Sequence, residues 1–333
     1  MDFGFAKSSG ACKRARPSRW PLAAGLVVGV VLDAVFGDPE HGHPVAGFGR
    51  AAAVLEARDY APARMRGAAH AAACVAPVAV LSALIDHRLA RRPLIRLIAI
   101  GAAAWSVIGA RSLRRLARQV GEALADDDLA AARAILPSLC GRDPATLDAK
   151  GMARAVVESV AENTSDAVVA PLFWGAVAGL PGLVAYRAVN TLDAMVGHRS
   201  PRYQRFGWAS ARLDDAANWI PARLTALLTV ACSPLVAAGS GAAAWRALRD
   251  YGGRHPSPNA GRCEAAFAGA LGLRLGGTNV YDGVADPRPH LGDGRAPEPT
   301  DIRHANDLSR TVTVAATIAA VVMAFRPRAG RRR

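Results

Sequence analysis

Between residues 151 and 223, apolar segments alternate with short acidic islands, and no other feature of the chain restricts its fold as strongly. Three islands carry clustered carboxylates and carboxamides, at residues 158–166, 187–193 and 212–218. The segments between them are apolar enough to enter a lipid bilayer, where a carboxylate is costly unless it faces a partner or a water-filled site. This cost favours a membrane enzyme whose acidic side chains serve a reaction.

Six apolar segments are candidates for helices at membrane depth, which requires about 20 residues and no fewer than about 17. The segments lie at 20–36, 68–84, 94–110, 167–189, 220–245 and 311–325. The fourth is interrupted at 179–182 and the fifth at 233–234, and such breaks are tolerated only where protein or a cavity covers the backbone. The predicted fold class is all-α: a polytopic helical protein of the cell inner membrane with broken or re-entrant helices and polar catalytic loops.

The predicted organisation is two basic tails around one helical membrane domain. The tails are residues 1–19 and 326–333, and the domain at 20–325 includes a soluble helical insert at 111–166 and a polar loop at 252–309. The start of the chain resembles a signal peptide, but no convincing cleavage site follows it. We therefore expect an uncleaved first membrane helix.

Charge and cysteine usage exclude several other classes. The chain has a net charge of +14, and ten of its basic residues lie in the two tails. Basic tails beside apolar helices suit anionic lipid headgroups, so the lipid bilayer is the expected partner. No recognition motif supports nucleic-acid binding. The five cysteines form no CxxC pair, so we expect neither a zinc site nor a disulfide framework.

The first island predicts a site for a cation. In a helix, Glu158, Glu162 and Asp166 are spaced i, i+4 and i+8 and share one face. Like charges at this spacing repel each other by about a few tenths of a kcal/mol per pair. Arginines, or a divalent ion held by oxygen ligands as magnesium prefers, would compensate. The plainer alternative is a solvated helix face with Asp166 as a cap.

The third island repeats the pattern. Asp214 and Asp215 each lie one helical turn before Asn218. Arg212 and Arg223 flank the island and could hold a phosphate or a carboxylate through forked hydrogen bonds. Three such islands between apolar segments favour a shared polar site over three separate solvated faces.

A further polar stretch follows the first apolar segment. Asp38 precedes Pro39 in an extended pair, and His43 precedes Pro44 near the expected membrane surface. His41 and His43 have the spacing of two metal ligands, but such a pair in a turn rich in proline and glycine is more often an ordinary loop. His43 is of greater interest than His41 because of its place beside the acidic residues.

A series of motifs runs through residues 32–277. They are GDP at 37–39, HPV at 43–45, ESVAENTSD at 158–166, APLFW at 170–174, YRAVNTLDAMVG at 186–197, FG at 206–207, ARLDD at 211–215, NWIPARLT at 218–225 and SPNAG at 257–261. In this order they resemble the membrane-bound adenosylcobinamide-phosphate synthase family of cobalamin biosynthesis. The chain departs from the family pattern at His198, where an aromatic residue is common, and in its basic tails.

The resemblance implies an amide-forming step. Adenosylcobyric acid, a corrinoid, would be joined through a free carboxyl to aminopropanol or its phosphate, giving adenosylcobinamide or its phosphate. ATP would be consumed as co-substrate, and Mg²⁺ would be required. The resemblance leaves open whether the amine is phosphorylated and whether other late enzymes of the pathway form a complex with this one.

The islands and the resemblance together assign roles to individual residues. No GxxxxGK[ST] loop is present, so the nucleotide site cannot be a standard P-loop. The predicted metal ligands are Glu158, Glu162, Asp166, Asp214 and Asp215. The residues predicted to bind or orient substrate and phosphate are Arg212, Arg223, Asn163, Asn190, Asp193, Asn218 and Asn259. The predicted catalytic residues are Glu158, Glu162 and Asp166, with Asp38 or His43 as the base that takes a proton from the amine.

Two other functions stay open at this level. The pattern of Asp214, Asp215 and Asn218, with Asn190 and Asp193, resembles in outline the magnesium–pyrophosphate sites of membrane prenyltransferases. A prenyl-acceptor assay would test that alternative. A non-enzymatic transporter would also use broken helices for its substrate site, and it predicts flux without ATP turnover.

Overall fold

The computed structural model describes residues 19–38, 42–198, 200–236, 239–281 and 284–325. These residues form fourteen α-helices and one antiparallel two-stranded sheet. The helices are α1 Trp20–Phe36, α2 Pro44–Asp59, α3 Arg64–Leu89, α4 Pro93–Val107, α5 Ala110–Ala125, α6 Leu129–Ile135, α7 Ala149–Thr164, α8 Ala170–Ala178, α9 Leu180–Leu192, α10 Tyr203–Phe206, α11 Trp208–Cys232, α12 Gly241–Tyr251, α13 Ala260–Leu271 and α14 Pro299–Phe325. The strands are β1 Leu275–Tyr281 and β2 Val284–Leu291. Both basic tails except Arg19, and His41 of the histidine pair, lie outside the described residues.

Three segments of the described chain are long and apolar enough to cross a membrane. They are α3, the segment Pro93–Ala125 that contains α4 and α5, and α14. In α3 the side chains of Val80, Leu81 and Leu84 are more than half exposed, which leaves an apolar surface that lipid would cover. The prediction of an all-α polytopic membrane protein with broken helices is confirmed.

The core is built around close helix contacts. α1 crosses α4 where Gly25 faces Ile100, and a Cβ at Gly25 would lie only 2.8 Å from the Ile100 side chain. Small residues allow helices to approach this closely. The same core includes Val120 of α5 and Val160 of α7, both fully buried. Residues 111–166, predicted as an insert, therefore share the main hydrophobic core.

Both predicted helix breaks are present. α8 ends at Ala178 and α9 begins at Leu180, and between them Gly179 has φ of 74°. That backbone conformation is readily adopted only by glycine. α11 ends at Cys232 and is followed by a 3₁₀ turn, Ser233–Leu235. With 9 and 13 residues, α8 and α9 are each shorter than the roughly 20 residues that a span requires.

The prediction of a polar loop at 252–309 is wrong. This stretch contains α13, the β1–β2 hairpin and the first turns of α14. At the start of α14 the buried Asp301 accepts hydrogen bonds from Arg295 at 2.7 and 2.8 Å, and Ser309 Oγ accepts one from Thr164 Oγ at 2.7 Å. The polar composition suggested a loop. The prediction failed because these side chains find their partners inside the protein rather than in water.

Candidate active site

The three acidic islands meet where the ends of α7 and α9 face the first half of α11. Asn190 Nδ2 lies 3.2 Å from Oδ1 of Asp214 and 3.5 Å from Oδ2 of Asp166. Each island thus contributes one side chain to a single group of contacts. Islands that lie far apart in sequence form one polar site, which we call the carboxylate cluster and define as Glu162, Asp166, Asp193, Asp214 and Asp215.

Buried hydrogen bonds hold the cluster in place. Asn218 Nδ2 donates to Oδ2 of Asp214 at 3.0 Å, and the two residues are one turn apart on α11. The Tyr186 hydroxyl lies 2.9 Å from Oδ1 of Asn218 and 3.0 Å from the backbone oxygen of Asp166. Tyr186 and Asn218 are buried, so this network fixes α9 against α11 and sets the orientation of Asp214.

Two π-helical turns direct the acidic side chains. α7 ends at Thr164 and continues as the turn Ser165–Val169, and α9 continues as the turn Asp193–Gly197. Such wide turns are rare and are found frequently at functional sites. The predicted column of Glu158, Glu162 and Asp166 therefore runs from α7 into the first π turn, of which Asp166 is the second residue.

The carboxylates raise one another's pKa. Burial holds the pKa of Asp166 well above its ordinary value, and the charges of Asp214, Glu162 and Asp193 raise it further. The pKa of Asp193 is raised to about 7, first by burial and then by Asp214 and Asp215. Because the cause is mutual repulsion as well as burial, a cation placed among these groups would stabilise their charged forms.

Glu162 combines an exposed surface with a raised pKa. Its side chain is exposed to solvent, yet burial is the main cause that raises its pKa, followed by the charges of Asp214 and Glu158, while Arg142 lowers it. The exposed surface and the raised pKa are compatible if protein surrounds Glu162 on most sides while water still reaches its side chain.

Glu158 has a different set of partners from the rest of the cluster. Its Oε2 accepts a hydrogen bond from Arg142 Nη2, and its Oε1 accepts one from the Gly276 backbone nitrogen at 2.6 Å. The Glu158 side chain is buried. Both oxygens are thus engaged in joining α7 to β1 and to the segment that precedes α7, although Glu158 was predicted to bind metal.

The β1–β2 hairpin is bound to α7 by Arg154 and carries a second cation, Arg288, close to the carboxylate cluster. Arg154 donates to the backbone oxygens of Gly276 and Thr278, the latter at 3.0 Å. Arg288 on β2 lies 3.3 Å from Nε2 of His255, and its charge lowers the pKa of Glu162. The hairpin is therefore fastened to α7 and places a guanidinium close to the carboxylate cluster.

Arg212 and Arg223, the two arginines that flank the third island, have different partners. Arg212 is exposed and lies 3.7 Å from Oδ2 of Asp215, whereas Arg223 stacks on Trp219 and donates to its backbone oxygen at 2.7 Å. Eleven residues of α-helix separate them by about 16 Å. The structure does not bring their guanidinium groups together, and their contact with phosphate stays a prediction.

The remaining predicted polar residues differ in their distance from the cluster. Asn163 turns back onto its own helix, where its Nδ2 donates to the Ser159 backbone oxygen at 2.9 Å. Asn259 Nδ2 donates to the Asp215 backbone oxygen at 2.9 Å, and its Oδ1 is buried without a hydrogen-bond partner among the described residues. Asn259 thus joins the start of α13 to the cluster, and Asn163 does not take part in it.

The residues predicted as alternative bases lie at the ends of helices. Asp38 follows α1 close to Asp33, which accepts a hydrogen bond from the Arg111 backbone nitrogen at 3.2 Å. His43 is the N-cap of α2, where its Nδ1 accepts from the Val45 nitrogen at 3.2 Å. A neutral ring bound in this way carries its proton on Nε2, so His43 is placed as a donor rather than as a base.

The donors of the cluster are of the kind that Mg²⁺ prefers. No group of three or more His, Cys, Asp or Glu side chains in the described part of the chain has the spacing of a metal-ligand set. Carboxylate and carboxamide oxygens, held close together with raised pKa values, nevertheless match the chemistry of a hard cation. The fit to magnesium thus rests on the donor types and not on a formed coordination shell.

Sequence reasoning missed several residues that the fold brings to the site. Glu264 on α13 is buried, and its pKa is held well above its ordinary value by burial and by the charges of Glu158 and Glu162. Arg187 lies next to Asn190, with its Nη1 3.3 Å from Oδ1 of that side chain. Arg187 stood within the second island and could have been found there. Nothing in the sequence indicated that Glu264 is buried at the site, because a single acidic residue in an alanine-rich stretch is typical of a helix surface.

Comparison with known proteins agrees with this architecture. The family model described as CobD/Cbib protein matches residues 26–309. A protein of Mycobacterium tuberculosis named "Cobalamin biosynthesis protein CobD" is 53% identical over 312 residues, which cover 93% of this chain and 99% of the relative. Proteins of the same name from Geobacter metallireducens and Chromobacterium violaceum are 46% and 44% identical, covering 82% and 84% of this chain and 88% and 89% of the relatives.

No solved structure matches this chain. The family model and the relatives nevertheless cover the helices that carry the carboxylate cluster, from α7 to α11. With a match of this length to the family model and relatives of this identity, the chain belongs to the CobD/Cbib protein family.

Proposed function

We propose that this protein is an acid–amine ligase of cobalamin biosynthesis, of the adenosylcobinamide-phosphate synthase type. It would join the free carboxyl of adenosylcobyric acid to aminopropanol or aminopropanol phosphate with consumption of ATP. The names of the relatives support the pathway, and the three apolar segments support a multi-pass location in the cell inner membrane. The corrinoid, the amine, ATP, Mg²⁺ and the lipid bilayer are the partners in this proposal.

The observation that carries the proposal is the contact of Asn190 with both Asp166 and Asp214. Amide formation from a carboxylate requires activation, most simply as an acyl phosphate. Phosphoryl transfer depends on positioning and on cations that offset the charge of the phosphate. Glu162, Asp166, Asp214 and Asp215 of the carboxylate cluster would hold Mg²⁺ for this purpose, with Asn190 and Asn218 orienting Asp214.

Guanidinium groups on both sides of the cluster would bind the anionic parts of the substrates. Arg288 lies on the side of the hairpin, where its charge lowers the pKa of Glu162. Arg187 lies on the side of α9 and lowers the pKa of Asp166. Forked hydrogen bonds from arginine suit both phosphate and carboxylate.

Asp193 is the group best suited to accept the proton of the attacking amine. General-base catalysis is most effective when the pKa of the base lies near the working pH, and the pKa of Asp193 is raised to about 7. Its side chain is only partly buried, so a substrate can reach it. In this proposal Asp193 takes the role that the sequence suggested for Asp38 or His43.

The test is a reaction in membranes that contain the full-length protein. Adenosylcobyric acid, aminopropanol phosphate or aminopropanol, ATP and Mg²⁺ are supplied, and the corrinoid product is followed by mass. The wild type should form product only when ATP and Mg²⁺ are both present. Asp214→Asn should lower the rate at least about 100-fold, because it removes a charge from the centre of the cluster.

The matched control is Asp307→Asn, which removes an exposed acid on α14. It should retain the rate of the wild type. Full Mg²⁺-dependent product formation by a folded Asp214→Asn protein would disprove the assignment of the cluster. Prenyl transfer to an acceptor, or substrate flux without ATP turnover, would support the prenyltransferase or the transporter instead.

A further inference from the structure

The turn between α3 and α4 forms a strongly basic end of the molecule. α3 ends at Leu89 and α4 begins at Pro93, and the side chains of Arg88, Arg91 and Arg92 around this turn are exposed. We call these three arginines the α3–α4 tip. No hydrogen bond or ion pair joins any of their guanidinium groups to another described residue. Three cations therefore lie together on the surface without a partner in the described part of the chain.

The one acid nearby does not offset this charge. Asp86 is the only acidic residue between positions 60 and 121. Its two carboxylate oxygens accept hydrogen bonds from Arg96 at 2.7 and 3.0 Å, and both side chains are mostly buried. A bidentate pair of this kind satisfies the carboxylate. Because Arg96 cancels the charge of Asp86, the three arginines of the tip keep a net charge of +3.

Helix stability does not account for the arginines of the turn. A cation near the C-terminal end of a helix is favourable, which explains Arg88 in the last turn of α3. Arg91 and Arg92 instead directly precede α4, whose N-terminal end carries a partial positive charge and has no acidic side chain in its first turn. Two cations at this place are repelled by the helix end. Anions at the surface of the protein would relieve that repulsion.

Apolar side chains border the tip on both helices. Leu84 on α3 and Leu94 and Ile98 on α4 are 52%, 66% and 64% exposed, respectively. Both helices belong to segments that are long and apolar enough to cross a membrane. Guanidinium groups that follow directly on a lipid-facing surface lie at the depth of the headgroups, where anionic lipids attract them. A soluble anion would match the charge of the tip but would make no use of this apolar surface.

The two basic tails are attached to the chain at the same end of the molecule. A Cβ at Gly25 of α1 would lie 3.0 Å from the backbone oxygen of Leu97, which places the start of α1 beside the start of α4. Arg19 Nη1 lies 3.1 Å from the backbone oxygen of Ala324, which places the end of α14 beside the start of α1. The tails contain ten basic residues, counting Arg19. The tip and both tails thus give this end an excess of positive charge.

The tip is distant from the carboxylate cluster. A Cβ at Gly179, just before α9, would lie 3.2 Å from Oδ2 of Asp86 near the end of α3. Leu192, at the end of α9 next to the cluster, belongs instead to a buried group with Cys74 in the first half of α3. Twelve residues of helix separate Cys74 from Asp86, which corresponds to about 18 Å. A ligand at the tip therefore does not touch the carboxylate cluster.

We propose that the α3–α4 tip binds the headgroup of an anionic phospholipid, whose acyl chains lie along the exposed faces of α3 and α4. The guanidinium groups form forked hydrogen bonds with the phosphate. The bound lipid belongs to the membrane leaflet that is farther from the carboxylate cluster. This binding goes beyond the proposed function, because it depends on the charge and the exposed surfaces of the tip and on no step of the reaction.

The test is native mass spectrometry of the full-length protein, which counts bound lipid molecules and yields their dissociation constants. The protein is purified in detergent and titrated separately with dioctanoyl phosphatidylglycerol, dioctanoyl phosphatidylcholine and glycerol 3-phosphate. The wild type should bind phosphatidylglycerol at least about tenfold tighter than either other probe, since each arginine at an anionic surface contributes roughly fivefold. The triple substitution Arg88→Gln, Arg91→Gln and Arg92→Gln should lower the affinity for phosphatidylglycerol at least about tenfold.

Three further proteins separate charge, apolar contact and general electrostatics. Lysine at the three positions of the tip retains the charge and should retain most of the preference for phosphatidylglycerol. Leu94→Ser should weaken the binding of both lipids and leave that of glycerol 3-phosphate unchanged, which keeps the test valid if the glutamine variant misfolds. Glutamine at Arg118, Arg274 and Arg303 removes the same charge from exposed positions away from the tip and should leave lipid binding unchanged.

Three results would overturn the proposal. The first is an unchanged affinity for phosphatidylglycerol in a folded protein with glutamine at the tip, which would assign the lipid to the basic tails. The second is binding of glycerol 3-phosphate as tight as that of phosphatidylglycerol, which would make the tip a site for a soluble phosphate. The third is an equal loss of affinity in the control with three distant glutamines, which would reduce the effect to the total charge of the protein.

Discussion

Asn190 and Asp214 are joined by a hydrogen bond of 3.2 Å, from the amide nitrogen of α9 to the carboxylate of α11. At the other end of the same amide, Oδ1 accepts from Arg187 at 3.3 Å. The nitrogen therefore points toward the acids and the oxygen toward the guanidinium, which fixes the orientation of the amide. Asn190 thus connects the carboxylate cluster to the guanidinium of Arg187.

The substitution Asn190→Asp is expected to make folding depend on a divalent cation. It replaces a donor to Asp214 by a further carboxylate, so the free energy of unfolding should fall by about 1 to 3 kcal/mol in EDTA. Mg²⁺ should restore more stability to the variant than to the wild type, because the added repulsion is relieved by the cation. Thermal unfolding in detergent, with EDTA and with Mg²⁺, measures both effects.

Asn306→Asp is the control for this substitution, since Asn306 is partly buried on α14 and donates to the Arg114 backbone oxygen at 3.1 Å. Mg²⁺ should raise the thermal stability of the Asn306→Asp protein by no more than it raises that of the wild type. An equal response to Mg²⁺ by the Asn190 and Asn306 variants would show that the cluster does not hold the ion.

Asp193 is expected to make stability fall as pH rises. Its pKa is about 7 in the folded protein and near 3.8 in an unfolded chain, so the folded state binds more protons between these values. The contribution of Asp193 to the free energy of unfolding is therefore largest below about pH 4, and it is lost progressively as the pH rises to about 7. Asp193→Asn should be more stable than the wild type at pH 8, by about 1 to 3 kcal/mol.

The measurement is the denaturant midpoint of both proteins in EDTA at several pH values. The stability difference between Asp193→Asn and the wild type should shrink as the pH is lowered and vanish near pH 4. A difference that stayed constant from pH 4 to pH 8 would contradict the raised pKa. Asp128→Asn offers a comparison, because Asp128 is an exposed cap of α6 and lies outside the cluster.

The pair of Glu158 and Arg142 is expected to act mainly in folding. Its side chains are only 3% and 10% exposed, and a buried charge that loses its partner is strongly destabilising. Glu158→Gln retains an acceptor for the Gly276 nitrogen but removes the charge, so it should lower the free energy of unfolding by about 3 kcal/mol. Reversible unfolding in mixed micelles provides the measurement.

The exposed pair of Arg118 and Glu122 on α5, 3.5 Å apart, is the matched control. Glu122→Gln should change stability by less than about 1 kcal/mol, as is usual for surface ion pairs. If Glu158→Gln retained the stability of the wild type and lost only catalytic activity, Glu158 would belong with the metal ligands after all.

The helices and their breaks could be predicted from local patterns. Apolar runs marked most of α1, α3 and α4, and Gly179 and Ser233 marked the breaks. The spacing of Asp214 and Asn218 placed both on one helix face, where their hydrogen bond of 3.0 Å is found. These features depend on neighbours in sequence, which is why sequence reasoning found them.

Features that depend on distant parts of the chain could not be predicted. The π turn at 165–169 follows α7 directly, and nothing in the order of side chains marks it. Glu158 has the same spacing as Glu162 but is engaged by Gly276, more than a hundred positions later. The residues on either side of α13 are typical of loops, and the structure of α13 and the hairpin follows from burial against α7 and α11.

The hairpin itself depends on Arg154, and this dependence can be tested. Arg154 on α7 donates to the backbone oxygens of Gly276 and Thr278 and to Oδ1 of Asn279 at 3.2 Å, so one guanidinium holds acceptors of three residues of β1. In Arg154→Gln most of these bonds are lost, and local opening of β1 should become easier by about 1 to 3 kcal/mol. Hydrogen exchange of the β1 amides should accelerate roughly tenfold or more, because exchange follows the free energy of local opening.

Arg274→Gln is the control for the hairpin, because Arg274 is exposed and immediately precedes β1. It should leave exchange in β1 unchanged. Exchange in α11 should also stay unchanged in Arg154→Gln, since the bond between Asn218 and Asp214 does not depend on the hairpin. Equal acceleration of hydrogen exchange in β1 and α11 would mean that Arg154 supports the whole fold. Acceleration in β1 alone would mean that Arg154 stabilises the hairpin, which carries Arg288 to the carboxylate cluster.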